Sequence, residues 1–540
     1  MEEAVQHQYE IDKIKAPAVQ LIIIILGVFM AILDTSIVNV AIPTMENELS
    51  ASTAQIQWVL TAYMLTLGVL IPISGWLTDR FGARNLFLLA LLVFTIGSAL
   101  CGASWNLSSI IFFRVIQAIG GAFMQPVAMS MIFRIFPPHR RGTIMGVLGI
   151  AMMVAPACGP VLSGYFVDDA SWRLIFYVNV PFGIAAVILG YFFLHHFPHQ
   201  KKGKLDVWGL MVSVIGFFLL LYGFNEVSSD GWSSATVVLS LIGGIFFLLV
   251  FIIIELKVEH PILNLRVLNN YMFSMSLIIS SIIFTAMFVG IFLLPLYLQN
   301  TMGYTALRTG LFMTPAALAS AVIMPISGRL FDRVGARPLA FFGVLIFTIS
   351  SLGFTTLGTE SSSGYIQWMY IIRSIGMAMT MMPVMTAGMN TVPMQLVNQG
   401  TAMSNTIRQV SSSLGTAILT SYMTNQTKLD TTHLAWKVTA STYQGQSLLQ
   451  LQHAFEAKGM AASQALVAAE DMIYGLISKL GFVSGLDATF YVSTILSIVA
   501  WVCIWFYGSK KERAIRESRR APKKQKTAGE PVLLLEAGKR

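Results

Sequence analysis

Long apolar stretches separated by short polar connections fill most of the chain. Ala18 to Pro43, Ile56 to Leu77, Leu86 to Cys101 and Leu107 to Phe136 are the first four. A helix that crosses a bilayer needs about 17–25 such residues. The same pattern continues and predicts roughly fourteen spans. They lie near 18–43, 54–77, 85–103, 107–136, 143–166, 173–197, 206–225, 235–256, 271–298, 308–330, 337–358, 365–393, 396–423 and 487–508. An even number returns both termini to one side.

Composition agrees. Of 540 residues, 55% are hydrophobic and 11% charged, with a mean hydropathy of +0.70. A soluble protein carries about 25% charged residues, so this chain lacks the polar surface to wrap a water-soluble body. An all-α integral membrane protein is expected. The first residues hold Glu2, Glu3, Glu10 and Asp12, the wrong charge for a secretory leader, so the first span is expected to remain in the mature protein. Cys101, Cys158 and Cys503 suggest neither a disulfide framework nor a metal site. His195, His196 and His199 close the sixth span beside lysines and read as interfacial. No cofactor is expected.

Charge in the connections gives a side. One set holds Arg80, Arg84, Arg140, Arg141, Lys201, Lys202, Lys204, Arg333 and Arg337, and the tail adds nine more lysines and arginines between 510 and 526. The opposite set holds Glu46, Glu48, Asp168, Asp169, Asp230 and Glu360. The positive-inside rule then places both termini in the cytoplasm. The net charge of +9 follows from that topology and from attraction to anionic headgroups, and nucleic-acid binding is not expected.

A repeat organises the spans. Residues 72–84 read PISGWLTDRFGAR and residues 325–337 read PISGRLFDRVGAR, with ten of thirteen positions identical. Two related halves are a common transporter plan. Gly75 and Gly328 stand 253 residues apart, about 65 more than six spans with loops occupy. Two further helices between the halves account for the excess. The expected domains are a cytoplasmic N-terminus (1–17), a six-helix lobe (18–200), two added spans with linkers (201–268), a second six-helix lobe (269–508) and a basic tail (509–540). The second lobe carries a long outer segment at 424–486, whose apolar spacing suggests amphipathic helices lying on the outer face. It could cover an exit, contact an envelope adaptor protein, or cap the bundle.

Within the repeat, Gly75 and Gly328 allow close helix approach. Asp79 and Asp332, followed by Arg80 and Arg333, then Gly82 and Gly335, then Arg84 and Arg337, stand where helices reach the basic side. A carboxylate there suits a neighbouring helix N-terminus and arginine partners, which makes a latch that forms in one conformation and breaks in another. The alternative is a plain topogenic hairpin.

A charge at the bilayer centre costs at least ~2.5–3.5 kcal/mol, so ionisable groups inside spans are singled out. Asp34 is the one carboxylate placed well inside. Arg114 on helix 4 is its natural partner, in a proton-exchanging pair or in a static one. Arg373 on helix 12 and Arg408 on helix 13 leave a positive surplus. That favours neutral, zwitterionic or weakly acidic cargo, or arginines bound to helix C-terminal carbonyls. Met377, Met381, Met385 and Met389 share a face of helix 12 that suits either promiscuous binding or packing. A cavity between the lobes is expected to use Asn39, Tyr63, Gln117, Asn179, Arg373, Met381, Met385 and Arg408.

These stretches resemble a known family. GWLTDRFGAR resembles the loop 2–3 motif of the major facilitator superfamily. LDTSIVNVAIP at 33–43, WVLTAYMLTLGVLIPISG at 58–75, RVIQAIGGA at 114–122, APACGPVLSG at 155–164 and WRLIFYVNVPFG at 172–183 resemble motifs of its fourteen-helix drug:proton antiporters, the EmrB/QacA type. The resemblance implies the major facilitator fold, a coupling role for Asp34, proton relay by Arg114, and an antiporter motif on helix 5. That helix carries Gly149, Pro156, Gly159, Pro160 and Gly164, which also suit a purely structural kink. Relatives that export cationic drugs often carry an acid in helix 10, and none stands in GLFMTPAALASAVIMPISG.

No GxxxxGK[ST] loop is present, so ATP is not the built-in drive. The function expected is proton-coupled export of lipophilic or amphipathic small molecules by a monomer in a bacterial cytoplasmic membrane. A dedicated exporter of one metabolite, lipid or peptide is the second reading. A non-transporting receptor on the same fold is the third. No enzymatic constellation is found.

Overall fold

The computed structural model describes residues 16–197, 205–436 and 443–508. Lys201, Lys202, Lys204, His199, the N-terminal fifteen residues and the basic tail lie outside the described residues. Among those described there is no strand.

Helices α1 (Pro17–Glu48), α2 (Ala54–Phe81), α3 (Ala83–Gly102), α4 (Leu107–Ile135), α5 (Arg141–Asp169) and α6 (Leu174–Phe193) form the first lobe. Two inserted helices follow, α7 (Val207–Asp230) and α8 (Ala235–Lys257). The second lobe is α9 (Tyr271–Asn300), α10 (Ala306–Val334), α11 (Ala336–Gly353), α12 (Ser363–Met389), α13 (Val397–Trp436) and α15 (Ala462–Phe506), with the shorter α14 (Tyr443–Ala457) packed on α15. Side chains such as Phe192, Trp208 and Leu239 are more than two-thirds exposed. An outer surface that apolar is stable only against lipid.

Thirteen of these helices are apolar and long enough to cross a bilayer. The fourteenth long helix, α13, is polar because it runs through the bundle rather than against lipid. Its Asn398, Gln399, Asn405 and Thr406 are all buried, where they bond to neighbouring helices and to their own backbone.

The repeat has a visible structural cause. Gly82 (φ 84°) and Gly335 (φ 85°) terminate α2 and α10 in a conformation that L side chains rarely adopt, and α3 and α11 start on the next residue. Close glycine contacts then join α3 to α4 and α11 to α12. A Cβ on Gly97 would sit 2.5 Å from the Gln117 backbone, and one on Gly376 2.6 Å from the Phe347 nitrogen. The last arginine of each motif caps the final helix of its own lobe. Arg84 donates to the Tyr191 carbonyl at the end of α6 and bonds His196. Arg337 donates to the Trp505 carbonyl at the end of α15 (2.8 Å). The expected latch therefore does not include Arg84 or Arg337, and Arg80 and Arg333 are exposed.

Helix α7 is wedged between the lobes. Its Leu221 lies over Gly68 of α2, Tyr222 stacks on Trp58, and Trp232, just past its end, donates to Ser421 of α13 (2.9 Å). Helix α8 is peripheral and meets α7 where Gly244 faces Leu220.

The second lobe differs from expectation at 424–486. Instead of helices lying on the outer face, α13 continues to Trp436 and α15 begins at Ala462 rather than near 487. At 1.5 Å per residue these helices are ~60 and ~67 Å long, twice a hydrocarbon core of ~30 Å. They cross closely because Gly481 and Gly485 face Thr431 and Thr427, and Ser484 donates to Asp430 across them (2.6 Å).

Candidate functional site

Asp34 and Arg114 are both fully buried, enclosed by five helices of the first lobe. An Asp34 Oδ2 to Arg114 Nη1 contact of 2.5 Å pairs α1 with α4. Gln117, one turn further along α4, donates from Nε2 to Asp34 Oδ1 (2.7 Å) and to Ser98 Oγ of α3 (2.6 Å). Its Oε1 accepts from Arg114 Nη1 (2.7 Å). Asn179 of α6 donates to Asp34 Oδ1 (3.2 Å). From α2, the Val59 carbonyl accepts from Arg114 Nε (3.1 Å), and the Tyr63 ring lies 4.0 Å under the guanidinium.

A buried ion pair holds together only when its remaining donors and acceptors are satisfied, and here nearly all are. The exception is the Tyr63 hydroxyl, buried with no partner in the described structure. The geometry ties the charge of one carboxylate to the positions of α1, α2, α4 and α6 at once. Neutralising Asp34 would remove the Coulomb attraction holding α4 to α1 and leave Arg114 to the Val59 carbonyl and Gln117 Oε1.

The sequence-predicted cavity set separates under this geometry. Tyr63, Gln117 and Asn179 do not face a substrate surface; they are buried around the ion pair. Asn39 is exposed, beyond Asp34 on the same helix. Met381 and Met385 are 3% and 6% exposed and pack in the core cluster shared with Met129, Met145 and Met152 of the other lobe, so in this conformation they are packing. Arg408 donates to Asn405 Oδ1 (2.6 Å) and lies 5.4 Å from the Phe284 ring.

Arg373 is the second-lobe counterpart of Arg114. It donates to the Ala286 carbonyl (2.7 Å) and to Ser351 and Ser493, and Gly290 stands 2.9 Å (as a built Cβ) from its Nε. Where the first lobe offers a carboxylate, the second offers the Ala286 carbonyl and, in the π-helical turn Val289–Leu293 that follows, a glycine. The Arg373 guanidinium is met by one carbonyl midway along α9 and by two hydroxyls, rather than by a carboxylate or by helix C-terminal carbonyls.

The other candidate, the latch, lies at the basic end and is closed. Asp332 accepts from Gly142 N (3.0 Å), Thr143 N (3.0 Å) and Thr143 Oγ1 (2.8 Å), sitting on the N-terminus of α5, where backbone N–H groups favour an anion. Asp79 accepts from Asn398 and from Gln399 Nε2 (2.9 Å) at the start of α13, and Ser130 of α4 bonds Asn398. Arg141 donates to Asn390 (3.0 Å). Each of these crosses between lobes. On helix α5, Gly142 and Gly146 let α10 approach to backbone contact, Gly149 meets the side chains of Met324 and Met382, and Gly159 sits against Ser36 of α1. Pro156 and Pro160 stand inside the helix, and Gly164 is only loosely approached.

Ser98 and the asparagine–glutamine pair at 398–399 were not singled out from sequence. Small polar side chains in helices commonly bond their own backbone, so type alone does not reveal a partner on another helix. Asn398 and Gln399 had one usable signal, an amide pair opening a helix opposite the repeated aspartate.

Comparison with known proteins agrees with this architecture. The Major Facilitator Superfamily matches residues 24–416. An uncharacterised MFS-type transporter of Bacillus subtilis (strain 168), YhcA, is 39% identical over 94% of this chain and 96% of its own length. The lincomycin resistance protein LmrB of Listeria innocua is 34% identical over 73% of this chain and 84% of its own. Among solved structures, the proton:xylose symporter XylE aligns with a TM-score of 0.56 at 13% identity, covering 91% of this chain and 95% of that one, a likeness of fold alone.

Proposed function

Because the chain belongs to the major facilitator superfamily and is a multi-pass membrane transporter rather than an enzyme, we propose that it is a proton-coupled antiporter exporting lipophilic or amphipathic small molecules. The observation that carries this is the fully buried Asp34–Arg114 pair, which joins α1 to α4 and is bonded to α2 and α6. A proton reaches Asp34 only when that packing loosens, so protonation and shape change are one event. Arg114, released from the carboxylate, retains Val59 and the Tyr63 ring. The lobes then move apart at the basic end and expose their shared face to cargo. The proton, taken up from the outer side, is released at the basic end as cargo binds, and the pair re-forms.

The positive-inside rule places the basic end, and with it both termini, in the cytoplasm of a bacterial cell. The closed latch then corresponds to a state shut toward the cytoplasm. Both lobes come from one chain, which supports a monomer as the working unit. The drive is sufficient, since one charge through ~100 mV is worth ~2.3 kcal/mol, about a fifty-fold concentration ratio. Similarity to a protein named for lincomycin resistance supports export of foreign compounds. Export of one endogenous product is the alternative.

Vesicles with an imposed pH gradient and several chemically distinct dyes separate the two readings. Gradient-driven movement of more than one dye is expected. Movement of none, with one metabolite carried instead, would reverse the choice.

A further inference from the structure

The inserted helix pair reaches the latch directly. After α8, residues 258–270 cross the basic face before α9 begins. Glu255, 4% exposed, accepts from the backbone N–H groups of Ile262 and Leu263 (3.2 Å each). That fixes the turn and presses Ile262, Leu263 and Val267 into the core cluster that also holds Met129, Phe133 and Met389. The next backbone N–H, that of Asn264, donates to Gln399 Oε1 (3.3 Å). At its far end Asn270 donates to the Thr391 carbonyl (2.9 Å).

Gln399 therefore has one amide end on this segment and the other on Asp79 Oδ2 (2.9 Å). An amide offers an acceptor at one end and donors at the other. With Oε1 engaged by Asn264, the NH2 is turned toward the carboxylate; the flipped amide would set oxygen against oxygen. We infer that segment 258–270 is a strap that holds the basic end shut, acting through Gln399 as a positioning residue for Asp79. The two inserted helices thereby bias the alternation of the lobes as well as sealing the seam between α2 and α13.

The inference rests on alternation between two lobes but not on what drives it, so its test omits any gradient. The full chain is placed in lipid nanodiscs with spin labels at exposed Asn85 and Pro393, in a background lacking the native cysteines, and the label-to-label distance distribution is recorded. Asn264→Ala removes the side chain that bonds Arg266 N and keeps the N–H donated to Gln399; Asn264→Pro removes both. The φ of −71° at Asn264 suits proline. Asn264→Pro is expected to raise the open-to-closed ratio about five-fold over Asn264→Ala, the shift carried by one hydrogen bond of ordinary strength. Gln399→Glu sets a second carboxylate against Asp79 and is expected to open the end at least as far. Adding Asp79→Asn, which restores a donor–acceptor match, is expected to return it toward the closed distribution. Equal ratios for the two Asn264 variants, or no recovery in the double variant, would overturn the assignment. Should Asn264→Pro not fold, Glu255→Ala, which frees the Ile262 and Leu263 N–H groups that fix the turn, takes its place: the same opening is expected, and an unchanged ratio would overturn the assignment.

Discussion

Arg114→Met is expected to destabilise the first lobe by about 3–5 kcal/mol, because it leaves the Asp34 carboxylate buried without its counter-ion. Gln117 and Asn179 still donate to Asp34, but two neutral donors do not replace a guanidinium at 2.5 Å. The double variant Asp34→Asn/Arg114→Met removes both charges and is expected to recover most of that loss, since a buried pair replaced by neutral groups is often close to neutral overall. Thermal unfolding of the purified protein checks the order. Uphill transport is expected to be lost in both variants, so stability and coupling separate. A single Arg114→Met variant as stable as the native protein would mean that the pair carries no strain on removal and that the site has been misread.

The second large effect falls on the glycines of the repeat, which look equivalent in sequence and are not. A Cβ on Gly328 would sit 2.1 Å from the Gly142 carbonyl oxygen, whereas one on Gly75 would meet the Gln399 and Ala402 side chains at 3.0–3.2 Å. The first clash is with backbone, and only separation of α5 from α10 relieves it. The second asks the neighbouring side chains to give by only a few tenths of an ångström, which leaves the bonds of Gln399 to Asn264 and Asp79 in place. Overpacking of the first kind costs about 1–3 kcal/mol, or a ~5- to ~150-fold shift away from the closed basic end at ~1.36 kcal/mol per decade. Gly328→Ala is expected to lie mostly open in the same label-distance measurement and to transport slowly, while Gly75→Ala stays near the native distribution. Equal behaviour would contradict the lobe contact described.

Much of this was legible in the chain itself. The spans follow from apolar run length, and the two lobes with their insertion follow from one repeated thirteen-residue stretch and its spacing. The pairing of Asp34 with Arg114 follows from the scarcity of charge inside the spans. What was not legible depends on partners distant in sequence. Gln117 and Asn179 looked like cavity polar groups, yet helix phase turns them to the carboxylate. The sealed setting of Asp34, enclosed by five helices rather than lining an open cavity, could not be read from one helix at a time. Helix α15 was placed too late because residues 462–486 are only moderately apolar, and their helical state depends on packing against the extended end of α13. The strap had no motif at all, since its decisive donor is a backbone N–H.

The most direct test of Asp34 as the coupling acid is transport by Asp34→Asn in proteoliposomes under two conditions, with cargo running down its own gradient and with cargo driven uphill by an imposed pH difference. The substitution is expected to preserve downhill movement and to abolish uphill accumulation together with the accompanying proton flux. Uphill accumulation equal to that of the native protein would show that the proton is exchanged elsewhere.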